Sequence, residues 1–176
     1  MWSGKWRSAA AFLPVLMILA PPGRAATATA TVIINATFTM PTCTLTMPDV
    51  VQLGDLKNGT KTHNSVSIGI DCPDGGNVET GLYARKMSGE LSGTDKMTMV
   101  PSSGSVTGNP ALFWLTERGG ATPVKLDGTG ADVADNAFCR GTAVKRTCSL
   151  TPVTEVFADT VREEVSATVR FNVMYP

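Results

Sequence analysis

The side chains of this sequence that could carry covalent or metal chemistry are few. After residue 25 they are four cysteines and the single histidine: Cys43, Cys72, Cys139, Cys148 and His63. A structural zinc site is typically built from pairs of cysteines or histidines a few residues apart, such as C-x2-C. None of these cysteines stands at such a spacing from another. The pattern therefore predicts disulfide bonds and no metal site, provided that the chain is exported.

Acid–base catalysis has little support in the sequence. His63 lies in the polar stretch Lys61–Asn64, which predicts a solvated loop. Glu163 and Glu164 are adjacent, so on a strand their side chains would point to opposite faces and could not cooperate as an acid–base pair. We predict that the protein is not an enzyme and has no cofactor.

The first 25 residues have the pattern of a cleaved signal peptide. Lys5 and Arg7 precede an apolar run over 9–20, and Pro21 and Pro22 end it before small residues near Ala25. An uncleaved anchor is the alternative, but the run is short for a membrane span. Export is therefore predicted. The chain has 15 basic and 15 acidic residues, and this neutrality gives no indication of nucleic-acid binding.

In an exported chain the four cysteines allow three pairings. We prefer Cys43–Cys72 and Cys139–Cys148, because each pair links neighbouring predicted strands. By loop entropy the first pair, closing about 30 residues, contributes roughly 3–4 kcal/mol. The second closes about 10 residues, is expected to act as a local staple, and contributes roughly 2.5–3 kcal/mol.

The remaining sequence predicts an all-β domain. Short alternating runs are separated by turn residues, and in one run Val66, Ile68, Ile70 and Cys72 share a face. The run 111–115 is apolar on both faces, which predicts a strand covered on each side. The number and spacing of the strands favour an immunoglobulin-like Greek-key sandwich, with a barrel as the alternative.

The two ends of the mature chain carry complementary patterns. In the N-terminal segment, small or apolar residues occupy the even positions Ala28, Ala30, Val32, Ile34 and Ala36. After Pro41 the phase changes and the apolar set becomes Cys43, Leu45 and Met47, so this region predicts two strands. The first strand has no cysteine to anchor it, and its alternation indicates that it fits a groove.

The C-terminal pattern is an alternating strand that runs without interruption to the last residue. Its apolar face carries Val165, Ala167, Val169, Phe171, Val173 and Tyr175, and its other, more polar face carries Ser166, Thr168, Arg170, Asn172 and Met174. A terminal strand this apolar would be an aggregation hazard as a bare edge, so another segment must pair with it.

This ordered set of features resembles the chaperone–usher pilins of Gram-negative bacteria. The stretches Ile34–Phe38 and Thr42–Leu45, the second cysteine some 30 residues after the first, and the penultimate Tyr175 are most similar to minor and adaptor subunits of P-type and type 1 fimbriae. The resemblance implies a sandwich that lacks its last strand. It further implies that a periplasmic chaperone fills the gap first and that the N-terminal extension of the next subunit replaces it at the outer-membrane usher. The product that the resemblance implies is an extracellular fimbrium that contributes to cell adhesion.

The resemblance also assigns domains and residues. It implies a signal peptide over 1–25, a donor-strand extension over 26–37 and a pilin domain over 38–176. The donor side chains would be Ala28, Ala30, Val32, Ile34 and Ala36. The acceptor groove and the surface recognised by the chaperone would comprise Val169, Phe171, Val173, Tyr175 and Pro176.

Two departures from the family and two alternatives qualify the interpretation. Ala36 and the stretch Arg162–Glu164 stand where the family usually has glycine, which suggests a divergent, low-copy subunit.

One alternative is that the N-terminal tail folds back onto the groove of its own chain, which would give a monomer. A free-standing secreted β-sandwich binding domain or adhesin is the competing function.

Overall fold

A computed structural model describes residues 42–73, 78–106, 108–117, 120 and 122–176 of the chain. The predicted signal peptide and the predicted donor residues Ala28, Ala30, Val32, Ile34 and Ala36 lie outside the described residues. All the residues described belong to one unit spanning 38–176.

Strands dominate the part of the chain that the structure describes. They are β1 Thr44–Thr46, β2 Gly59–Thr62, β3 Val66–Asp71, β4 Thr80–Lys86, β5 Leu91–Ser92, β6 Lys96–Thr98, β7 Val100–Pro101, β8 Leu112–Glu117, β9 Phe138–Gly141, β10 Lys145–Val156, β11 Val165–Ser166 and β12 Val169–Met174. Two short 3-10 turns, Thr129–Ala131 and Ala134–Asn136, precede β9. Within the same ranges, no helix has the length and apolarity needed to cross a membrane.

The strands form three antiparallel sheets. The large sheet has the order β1-β3-β10-β8-β6-β5, with β2 paired to the C-terminal half of β10. A small sheet has the order β12-β4-β9, and β7 pairs with β11 as a two-stranded ribbon. The predicted all-β class is confirmed, and the described strands form open sheets rather than one closed barrel.

The core contains the side chains that the alternating patterns place inside. Ile68 and Ile70 of β3 and Cys72 beyond it are almost completely buried, which confirms the predicted face of that strand. The expectation of full cover on both faces of β8 holds for one face only. Phe113 is buried, whereas Trp114 is half-buried on the other face, beneath the Lys96 ammonium 4.2 Å from its ring centroid.

Both disulfides have the pairing preferred from the sequence, but the second is not a local staple. Cys43, just before β1, joins Cys72, just after β3, in the large sheet. Cys139 lies in β9 of the small sheet and Cys148 in β10 of the large sheet, so this bond crosses the sandwich. Cys139 has φ 55°, a left-handed conformation that is uncommon for residues other than glycine.

An arginine reinforces the link between the two sheets. Arg146 of β10 donates from its guanidinium to the backbone carbonyl of Cys139 at 3.2 Å and to that of Thr80 in β4 at 3.0 Å. It also donates to the Thr80 hydroxyl at 2.7 Å. Because charge-assisted hydrogen bonds are stronger than neutral ones, Arg146 holds β4 and β9 against the large sheet.

Pro152 causes an outward bulge beside the central strand β10. Residues Lys145–Leu150 of β10 pair with β3, and Val153–Val156 pair with β2. The Pro152 carbonyl accepts from the His63 N–H at 2.9 Å. In an antiparallel ladder the N–H and the C=O of a residue point to the same side. The N–H that proline lacks would therefore face residues 63–65, on the side of β2 and β3, and not β8. Residues 63–65, here called the 63–65 bulge, therefore leave the ladder.

Side chains replace the lost backbone bonds at the 63–65 bulge. The His63 Nε2 atom lies 2.9 Å from the Thr154 hydroxyl, and the Ser65 hydroxyl lies 2.8 Å from that of Thr151. His63 is half-buried in this arrangement. His63 lies between β2 and β3, as expected of a loop residue, but its ring is half-buried against β10 and not solvated as predicted.

The uninterrupted C-terminal strand expected from the sequence is divided at 167–168. The N–H of Thr168 donates to the Ser88 hydroxyl at 2.9 Å, and its carbonyl accepts from the Met87 N–H at 2.8 Å. The first part, β11, pairs with β7, whereas β12 pairs with β4. The apolar alternation nevertheless continues through the break.

Removal of the sheet-to-sheet disulfide should loosen the small sheet more than the loop it closes. We expect Cys139→Ala with Cys148→Ala to lower the free energy of unfolding by roughly 2.5–3 kcal/mol, from loop entropy alone. Hydrogen exchange should accelerate along β4 and β9, read by mass spectrometry. The double variant Cys43→Ala with Cys72→Ala is the matched control, since that bond lies within one sheet. Faster exchange confined to 139–148 would contradict the bridging role.

Candidate functional site

The C-terminal strand β12 is the edge of the small sheet. Among the residues described, its backbone ladder is formed with β4 alone. Cross-strand partners project to the same face, and Phe171 stands opposite Ala84 while Val173 stands opposite Leu82. Ala84 and Leu82 are completely buried, but Phe171 and Val173 are only half-buried. The apolar face that β4 and β12 share is therefore buried on β4 but partly exposed on the edge strand β12.

Strand β1, at the edge of the large sheet, also carries apolar side chains that are only partly buried. It pairs only with β3 among the described strands, and Leu45 stands opposite Ile70. Ile70 is 2 % exposed, whereas Leu45 is half-buried. The Tyr175 hydroxyl lies 3.4 Å from the Cys43 sulfur, so the end of β12 meets the start of β1.

The half-buried apolar residues of these two edges define the candidate site, here called the edge groove. All of them pack against the core without being fully covered. They are Cys43, Leu45 and Met47 along β1, and Val165, Ala167, Val169, Phe171 and Val173 along β11 and β12. None carries a charge, and along each wall they occur at every second position, the side-chain period of a strand.

The floor of the edge groove is fixed by an aromatic pair. The rings of Phe138 and Phe171 meet edge to face, with centroids 6.2 Å apart and an interplanar angle of 77°. Such pairs contribute about 0.5–1.5 kcal/mol beyond the area they bury. Phe138 immediately precedes Cys139, so the disulfide that crosses the sandwich also positions the ring beneath Phe171.

The structure brings together the acceptor residues predicted from the sequence. Val169, Phe171 and Val173 lie in β12, Tyr175 follows half-buried, and Pro176 is exposed at the end. The assignment of donor residues concerns a segment outside the described ranges and stays a prediction.

Two features of the site were missed by sequence reasoning. Leu45 and Met47 form the second wall, and the phase change after Pro41 was the signal for them. Met174, placed on the polar face by its alternation, is 6 % exposed. A Cβ atom on Gly81, the strand partner of Met174, would lie 3.1 Å from Arg140 Cγ and 3.2 Å from Ala137 Cβ. The segment before and along β9 therefore covers this face too.

The second disulfide lies beside a carboxylate. Ligand atoms of Glu117, Cys139 and Cys148 fall within 4.8 Å of one another. The two sulfurs are bonded to each other, and Glu117 Oε1 accepts from the Cys139 N–H at 3.1 Å. In this state the cluster has no thiolate to offer a metal, and the carboxylate stabilises the left-handed turn at Cys139.

Two carboxylates anchor the loops that lead into β11. Asp159 accepts from the backbone N–H and the side-chain amide of Asn109, and Glu163 accepts from Ser102 and Ser103. These hydrogen bonds stabilise the charged form and lower the pKa of each carboxyl group.

The pKa of His63 is lowered by burial and then by the nearby Lys61 charge.

Two solved structures share this architecture. The rod subunit PapA of the P pilus superposes with a TM-score of 0.51 at 16 % sequence identity, over 83 % of this chain and 100 % of that chain. A chaperone–usher pilus structure, described in terms of rod uncoiling, superposes with a TM-score of 0.52 at 14 % identity, over 89 % and 98 % of the two chains. No protein-family model and no curated protein matches the chain. The fold is therefore the immunoglobulin-like fold of pilus subunits, which confirms the predicted fold class.

Stability should fall in two steps as the pH is lowered. His63 has a folded pKa below its ordinary value of 6.5, so the unfolded chain binds the proton more tightly. The contribution of His63 to the free energy of unfolding is thus fully present above about pH 6.5 and is lost as the pH falls below it. Asp159 and Glu163 produce the second decline, below their ordinary values of 3.8 and 4.5. Urea unfolding across this range measures both steps.

Matched variants assign each step to its groups. His63→Gln should remove the decline near neutrality, and Asp159→Asn with Glu163→Gln should flatten the acidic one. An unchanged slope near pH 6 in His63→Gln would show that its ring does not control stability there.

Proposed function

We propose that this chain is a structural subunit of a chaperone–usher pilus and that it polymerises by strand exchange. Residues 26–37 of one subunit complete the edge groove of the next. The observation that carries the proposal is the half-buried apolar face of β12, a strand whose outer ladder has no partner among the described residues.

The chemistry of the groove matches that of the N-terminal segment. The groove offers apolar side chains at every second position and a row of backbone N–H and C=O groups. A segment with the same period inserts one face and forms a ladder with its backbone, which is strand addition. Val32 and Ile34 supply the largest donor side chains, each contributing roughly 1.5–3 kcal/mol when fully buried. Ala28, Ala30 and Ala36 occupy the shallower positions.

The proposed life cycle supplies the partners and the location. A periplasmic chaperone occupies the edge groove first and uses Tyr175 and the exposed Pro176 to dock. The outer-membrane usher then passes the subunit to its neighbours, and the product is a fimbrium on the surface of a Gram-negative cell that supports adhesion. Ala36 and the stretch Arg162–Glu164 replace the usual glycines, which favours a minor or adaptor subunit. This role requires no catalysis.

The groove predicts dependence on a chaperone. The mature chain should accumulate in the periplasm as a 1:1 complex when a cognate chaperone is co-expressed, and should be degraded without it, because the apolar edge is then exposed. Phe171→Ser should abolish recovery of the complex, whereas the matched Arg170→Ser, on the exposed face, should retain it. Pull-down from periplasmic extracts measures both. A stable monomer without any chaperone would indicate a self-complemented, free-standing binding domain.

The donor segment predicts a defect limited to joining. Ile34→Asp should leave the chaperone complex intact and abolish linkage to the next subunit, because a carboxylate cannot enter the apolar groove without a partner. Ile33→Asp is the matched control, since it makes the same change on the opposite face. Fibre assembly is read as a ladder of oligomers on gels without heating. Equal assembly in the two variants would refute the assignment of the donor strand.

A further inference from the structure

A surface recess lies at the 63–65 bulge, and six of its nine lining residues are exposed. It occupies about 310 Å³ between residues 51–53 and residues 61–66. This volume lies at the lower end of the range of about 300–1,000 Å³ for ligand pockets. It shares no residue with the edge groove, so its role is independent of strand exchange.

Two residues of the recess are held in place by the protein itself. Pro152 forces the 63–65 bulge out of the ladder, and the His63 ring is held between the Thr154 hydroxyl and the Leu53 backbone. The Ser65 hydroxyl lies 2.8 Å from that of Thr151. A ligand would therefore meet these two side chains already positioned, which reduces the cost of binding at this part of the recess.

Several hydrogen-bonding groups of the lining remain available to a ligand. Among the described residues, the side chains of Gln52, Thr62 and Asn64 form no hydrogen bond with another described residue. Lys61 donates one hydrogen bond, to the Asp55 carbonyl at 3.1 Å, and an ammonium group has three donors. The lining contains no carboxylate.

The apolar part of the lining complements these polar groups. Val51, Leu53 and Val66 contribute aliphatic surface, and Val51 is 39 % exposed. The lowered pKa of His63 keeps its ring neutral near pH 7, so Lys61 is the one charged side chain of the lining at that pH. A fitting ligand has C–H surface, several hydroxyl groups and one negative charge.

We propose that this recess binds a saccharide unit that carries a carboxylate. Lys61 pairs with the carboxylate, Gln52, Thr62 and Asn64 bond to the ring hydroxyls, and Val51 and Leu53 contact the C–H face.

The test uses the full chain as purified from the periplasm, in whatever assembly it has there. Saturation-transfer NMR compares methyl glucuronide with its neutral analogue methyl glucoside, which differs at the carboxylate. We expect transfer to the glucuronide, with a dissociation constant on the order of 1 mM, and at least tenfold weaker binding of the glucoside. Lys61→Gln should reduce glucuronide binding about tenfold, close to the level of the glucoside.

Two further variants separate a site from general charge attraction. Lys57→Gln removes an exposed cation of the neighbouring loop that does not line the recess, and it should leave the affinity within twofold. Asn64→Ala should weaken binding of both sugars. The proposal is overturned if neither sugar shows saturation transfer, if both bind equally, or if Lys57→Gln and Lys61→Gln lose affinity to the same extent.

Discussion

The unfinished edge at the C-terminal strand is the constraint on which the rest of the structure depends. Strand β12 has β4 on one side, and its other side has no partner among the described residues. Leu82 and Ala84 on β4 are buried, while Phe171 and Val173 on the same face of β12 keep part of their surface in solvent. The unpaired backbone groups are a template for another strand, and a strand of matching period would both pair with them and bury the partly exposed apolar side chains.

Both disulfides and the charge-assisted hydrogen bonds of Arg146 lie close to this edge. Cys43–Cys72 fixes the β1 wall to β3, and Cys139–Cys148 ties the small sheet, with β12 at its edge, to the centre of the large sheet. Arg146 reinforces the second link through β4 and β9. Both walls of the edge groove are therefore tied to the core by bonds that do not involve an added strand, as the proposed acceptor role requires.

The sequence predicted the local pattern and both disulfide pairings, but not how the strands group into sheets. Alternation placed Ile68 and Ile70 in the core and the apolar face of β12 in the site, because side-chain period is a local property. It could not show that β9 joins the small sheet, so the second disulfide was taken for a local staple. Met174 was placed on the polar face because the cover over it comes from the distant segment before β9. The His63 ring was expected to be solvated because its partners lie on β10, near Pro152 and some ninety residues away.

A photo-crosslink between two distinguishable subunits tests the central claim most directly. One allele carries a photo-reactive residue in place of Val173, and a co-expressed second allele carries Thr31→Ser as a mass label in its N-terminal segment. After irradiation of assembled material, mass spectrometry should find position 173 of the first subunit joined to labelled peptides from residues 26–37 of the second. Crosslinks to unlabelled peptides alone, or none to this segment, would contradict the claim that a second copy of this chain supplies the missing strand.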